Sequence, residues 1–106
     1  MRILFDQGTP VPLRRLLTNH TVKTAYEMDW STLENGELIA SAESNNFELL
    51  ITTDTNLKYQ QNLSDRKIAI LVLSTPSWPR IRKYIERIEA AISAVSPGSY
   101  TDVEIS

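Results

Sequence analysis

Three short runs of this chain are apolar at every position: Ile3-Leu4-Phe5, Leu49-Leu50-Ile51 and the stretch 68–73. A strand with one face in water alternates apolar and polar side chains, so an unbroken apolar run marks a strand buried on both faces. Sheets buried on both faces are nearly always parallel, with helices on each side. Between the runs the apolar period changes to that of a helix. Leu13, Leu16 and Leu17 follow Thr9-Pro10, Leu38, Ile39 and Ala42 follow Asn35, and Ile81, Ile85, Ile88, Ile92 and Val95 follow Ser77 and Pro79. Each is the stripe of a helix packed on one side. Alternating strands and helices predict a doubly wound α/β sheet.

The expected elements follow from this pattern. Strand one covers 3–5. A helix is expected with Thr9 as its cap and Pro10 at its first position. Strand two, 21–26, has only Val22 and Ala25 among polar neighbours, which suits a sheet edge. A second helix, capped by Asn35, should stop at Asn45-Asn46, where asparagine tolerates a left-handed backbone. Strand three (49–53) runs into Asp54, a short helix of about 56–62 follows, and strand four (68–73) precedes a single long last helix. The expectation is one domain over residues 1–106, with a four-stranded sheet in the order 2-1-3-4. Residues 97–106 are read as a peripheral tail in which Tyr100, Val103 and Ile105 alternate like a fifth strand. Strand four is too apolar to stand as a bare edge. Either that tail or a homodimer partner along the last helix should cover it.

Composition removes several classes of function. The absence of cysteine rules out disulfide frameworks and thiolate metal sites. Three apolar residues before Asp6 are too few for a signal segment and no run approaches a membrane span, so a cytoplasmic location is expected. A net charge of −2 gives no global field toward nucleic acid or anionic lipid.

With that strand order the chain reverses direction between strands one and three, and ligands of such sheets bind beyond the carboxyl ends at the reversal. Asp6 and Asp54 end those two strands. Adjacent strands lie about 4.8 Å apart, so both carboxylates reach one ion. Glu37, in the first turn of the second helix, opens at the same end as a third. Acids without thiols or a placed histidine suit a hard cation. Mg2+ needs only one or two protein carboxylates, and a bound metal offsets charge on a phosphodiester. Arg14, Arg15 and Lys58 come from segments near this end and are candidates for guiding RNA.

Asp6-Gln7-Gly8-Thr9-Pro10, then Asn35-Gly36-Glu37-Leu38-Ile39, then Thr52-Thr53-Asp54-Thr55-Asn56-Leu57 resembles, in that order, the short PIN-like domains (the VapC-like group and its relatives) over about residues 1–75. The resemblance implies a Mg2+- or Mn2+-dependent ribonuclease acting as the toxin of a toxin–antitoxin pair, restrained by a cognate antitoxin protein. Asp6, Glu37 and Asp54 fall on the family's first three acids. Asn56 stands where many relatives carry a fourth acid, and Gln7 where short relatives often carry glutamate. Both amides can coordinate a metal through oxygen, but each removes a negative charge and so weakens attraction for a divalent ion. The alternative is therefore a catalytically weak binding module on the same fold, acting through protein partners.

Ordinary roles compete with these. Asp54 can cap the short helix, and Glu37 can complement a helix dipole. His20 reads as a surface or capping residue, Trp30 and Trp78 as packing anchors. Arg80, Arg82, Lys83 and Arg87 read as a solvated face balanced by Glu86 and Glu89, with phosphate contact the rival reading. Asp65 and Asp102 are left out of the site. A phosphoacceptor receiver is rejected because Gln7 follows Asp6, no lysine follows strand four, and the chain reads as one βα unit short.

Overall fold

The computed structural model describes residues 1–60 and 63–106. Its five strands, β1 (Arg2–Phe5), β2 (Thr21–Thr24), β3 (Leu49–Thr52), β4 (Ala69–Leu73) and β5 (Tyr100–Val103), form one parallel sheet in the order β2-β1-β3-β4-β5. The expected four-stranded sheet is thus corrected by a full fifth strand. The helices are α1 (Asn35–Ser44), α2 (Leu57–Gln60), α3 (Trp78–Ile81) and α4 (Ile85–Ala94), with 3-10 turns at Val11–Leu16 and Arg82–Tyr84. The short helix expected at 56–62 extends partly outside the described residues.

Alternate residues of the central strands feed two cores. Ile3, Phe5, Leu49, Ile51, Ala69, Leu71 and Leu73 meet Leu13 and Leu17 of the first crossover, together with Ile81, Ile88 and Ile92 of the last. On the other face, Leu4, Leu50, Ile70 and Val72 meet Leu38, Ile39 and Ala42 of α1 and Leu57 of α2. Trp30 packs edge-on against Phe47 at 6.0 Å, and Trp78 lies against the first core, so both act as packing residues.

The crossovers do not share one hand. β3 to β4 and β4 to β5 step the same way across the sheet, yet α2 lies on one face and α3 and α4 on the other. The last crossover is therefore opposite in hand to the three before it, a departure from the usual uniformity. As a result β1, β3 and β4 send their exit segments to alternating faces, which opens the carboxyl end of the sheet.

Four local expectations are corrected. Thr9 does not cap a helix: the segment after it is a 3-10 turn preceded by an extended Pro10, because the Thr9 hydroxyl is held elsewhere. Asn35 is the first residue of α1 rather than its cap, and Glu34 takes that position. The last helix is not continuous but is interrupted at Arg82–Tyr84, where three cations in its opening turns oppose a long helix dipole. The tail is not peripheral. β5 pairs along β4, Val103 and Ile105 are buried, and Gly98 admits no side chain because a Cβ there would stand 2.8 Å from the Arg66 carbonyl oxygen. The left-handed Asn46 expected at the end of α1 is present, at φ 65°.

Truncation after Ser96 should destabilise the domain by more than about 1 kcal/mol, since burying one such apolar side chain contributes roughly 1.5–3 kcal/mol, and the bared β4 edge should promote aggregation. Denaturant unfolding with light scattering checks this. Unchanged stability and mass would show that β5 is dispensable.

Candidate active site at the carboxyl end of the sheet

Asp6 leaves β1 in a tight turn closed by the Thr9 N–H to the Asp6 carbonyl at 3.2 Å. Gly8 is required there because a Cβ would meet Thr53 Oγ1 at 2.6 Å. The turn folds Thr9 back under the carboxyl group, where it is buried. Its Oγ1 lies 2.7 Å from Asp6 Oδ1 and 2.8 Å from the Ile51 carbonyl oxygen. The Thr52 hydroxyl donates to Asp6 Oδ2 and accepts the Asp54 N–H at 3.1 Å. One threonine on β3 thus links the two aspartates that the topology brings to the switch point.

The proton count around Asp6 is informative. A hydroxyl has one proton, so Thr9 cannot donate to Ile51 and to an ionised Asp6 together. A protonated Asp6 removes the conflict by donating to Thr9, which then donates to Ile51. Burial, the largest influence, accordingly raises the Asp6 pKa above the ordinary carboxylate value, against the opposing hydroxyls of Thr52 and Thr9 and the N–H groups of Gly8 and Thr9. No cation is among the groups acting on it.

Asp54 is held differently. Its Oδ1 accepts the Asn56 N–H at 3.0 Å and its Oδ2 accepts the Asn35 side-chain amide at 2.8 Å. The first contact fixes the turn that leads into α2 at Leu57, and among the described residues no side-chain bond runs from Asp54 to the helix itself. The second joins α1 to the end of β3. Asn35 was read from the sequence as a helix cap, and its contribution here was missed; an amide at a helix start carries no signal that separates the two roles.

Glu37 is exposed and forms none of the hydrogen bonds or ion pairs found among the described residues. It stands in the first turn of α1, two residues beyond Asn35. Among the described residues, no three His, Cys, Asp or Glu side chains stand together as a metal-holding group. Asn56 is exposed and meets Asp54 through its backbone, while Gln7 is exposed and donates to the Ser31 carbonyl at 3.3 Å.

Of the expected RNA-guiding residues, Arg14 pairs with Glu27 at 2.5 Å and Lys58 with Asp102 at 3.4 Å, whereas Arg15 is exposed. Asp102 is level with Val72 on β4, which is level with Thr52. It therefore lies at the carboxyl end of the sheet, exposed. The receiver argument from strand number is overturned, since five strands in this order form a common doubly wound sheet. The rejection stands on chemistry: Gln7 follows Asp6, and β5 runs out through Asp102-Val103-Glu104 without a lysine. No helix among the described residues is long and apolar enough to cross a membrane.

Comparisons of the chain with protein-family models, curated proteins and solved structures return no significant match.

A pH profile tests the state of Asp6. A raised folded pKa means that the native state holds a proton which the unfolded chain has released, so stability falls as pH rises from the ordinary aspartate value toward the Asp6 pKa. Glu27, lowered chiefly by the Thr24 N–H and by Arg14, contributes stability only above the ordinary glutamate range, which is lost on acidification. Glu43 behaves alike: burial raises its pKa, but Lys67 N–H, Arg66 and Ile68 N–H together outweigh it. Above that range both are flat, and the falling limb belongs to Asp6. Thr52→Val removes a hydroxyl that lowers the Asp6 pKa and should extend the fall to higher pH. Urea midpoints against pH measure it, and an undisplaced limb would contradict the assignment.

Proposed function

We propose that this chain is a metal-dependent ribonuclease of PIN-like type, the toxin of a toxin–antitoxin pair, with Asp6 and Asp54 holding Mg2+ or Mn2+. The observation that carries the reading is the place of Asp6, a carboxyl group at the switch point of the sheet whose ionisation burial opposes, with no cation among the described groups acting on it. A divalent ion supplies the missing positive charge. The donors are all oxygens, as a hard cation prefers, and two carboxylates suffice when waters complete the shell. Asn35 is a positioning residue that orients Asp54, in the way outer partners orient metal-binding carboxylates. When bound, the ion supplies Lewis-acid stabilisation of charge on a phosphodiester. The chain's own part is to fix two carboxylates on adjacent strand ends and to shield Asp6 from water through Thr9 and Thr52.

The second reading, a binding module without a metal, is favoured by the exposed Glu37 and by the amides at Gln7 and Asn56. Mn2+ titration calorimetry separates the two. The nuclease reading expects a saturable site, weakened about 10–100-fold by Asn35→Ala, as for other outer-partner changes. It also expects tighter binding in Asn56→Asp, where an added charge sits near the ion. RNA incubated with wild type and Mn2+ should be cut and with Asp54→Asn should stay intact. Induced expression of the same pair, scored by growth, tests the toxin role. Absence of a saturable Mn2+ site in the wild type would leave the binding module.

A further inference from the structure

The Val11–Leu16 turn and the Trp78–Tyr84 segment pack against one another on one face of the sheet, and each begins where a strand, β1 or β4, reaches its carboxyl end. Together they carry Arg14, Arg15, Arg80, Arg82 and Lys83, five of the chain's eleven Lys and Arg residues, and not one carboxylate. Arg80, Arg82 and Lys83 lie, as expected, on a solvated face with Glu86 and Glu89, and together with Arg15 they are exposed and join none of the ion pairs among the described residues. Cations in the opening turns of a helix also oppose its dipole, so helix stability does not explain them.

Tyr26, 78% exposed and the most exposed of the large hydrophobic side chains, precedes Glu27, which pairs with Arg14 of this surface. It stands two residues beyond the end of β2. Its neighbour Ala25 donates its N–H to the carbonyl of Phe5, the residue before Asp6, and its other neighbour Glu27 holds Arg14. Val11 and Leu16, on the same 3-10 turn as the arginines, are exposed as well. An aromatic face beside unpaired cations is how proteins hold single strands: bases stack on the ring while the groove tracks phosphates.

We infer that this surface is a binding track for single-stranded nucleic acid, with Tyr26 as a base-stacking platform and Arg15, Arg80, Arg82 and Lys83 contacting phosphates as the strand approaches Asp6. An acidic protein would be met by the charges alone and would not need an isolated, fully presented ring. The inference rests on the nuclease reading for its direction toward Asp6, but its test is independent of cleavage.

The probe is a short fluorescein-labelled oligouridylate, and the protein is the full chain carrying Asp6→Asn, so that cutting does not interfere. Fluorescence anisotropy should give saturable binding. Tyr26→Ala should weaken it about five-fold or more, the lower end of the range for a stacked base, and Tyr26→Phe should restore it. Arg15→Ala and Arg82→Ala should each lower the affinity and reduce the salt slope by about 0.7, the value for one phosphate contact on a single strand. Tyr26, Arg15 and Arg82 are all exposed, so loss of the fold does not intervene. The inference is overturned if these variants bind as the parent does, or if poly-L-glutamate competes with equal affinity and Tyr26→Ala has no effect. Binding that behaves as expected in a protein whose wild type cuts no RNA leaves the track and removes the nuclease. Variants that bind as the parent does, in a protein whose wild type cuts RNA, keep the nuclease and remove the track.

Discussion

A parallel sheet whose central strands are apolar on both faces must be covered on both, and each cover has to be the connection that carries the chain from one strand to the next. In this protein β1, β3 and β4 leave almost nothing accessible, and the covering elements are short. The chain meets the requirement by sending successive exits to opposite faces, even at the cost of a last crossover of opposite hand. Because all strands run the same way, every exit lies at one end, and diverging exits leave that end open. Asp6 and Asp54 stand at that end, beside the reversal of strand order where ligands of such sheets bind in a crevice.

At that end the two aspartates differ. Asp54 accepts one donor on each oxygen, from Asn35 and Asn56, which fix its orientation and leave lone pairs for an ion. Asp6 is not matched in the same way. Thr9 has one proton for two acceptors, burial opposes ionisation, and no cation compensates. A carboxyl group whose ionisation burial opposes, with no cation among the described groups acting on it, is a local conflict of the sort that natural proteins carry at functional positions.

Much of the fold was legible in the sequence because it depends on apolar period. The three buried strands, the polar edge strand and the stripes of α1 and α4 were all visible. What was missed depends on side-chain hydrogen bonds between elements. Thr9 and Asn35 have the identity of helix caps, and only tertiary contact with Asp6, Ile51 and Asp54 shows their use. Glu37 was correctly placed in a first turn, but its exposure could not be read from spacing. The pairing of residues 100–103 with β4 was suggested by the need to cover an apolar edge, while the hand of the connection left no trace in the pattern. The chain's net charge concealed the segregation of its cations, since five of them gather on two elements that are distant in sequence.

If Asp6 is retained for a cation at the expense of stability, as proposed, thermal unfolding of wild type and Asp6→Asn at neutral pH, with and without Mn2+, shows it most directly. Without metal the asparagine variant should unfold at the higher temperature. On adding Mn2+ the wild type alone should gain, by the stabilisation any native-state ligand confers, so that the gap closes or reverses. An asparagine variant that is less stable without metal, or that responds to Mn2+ as the wild type does, would contradict the account.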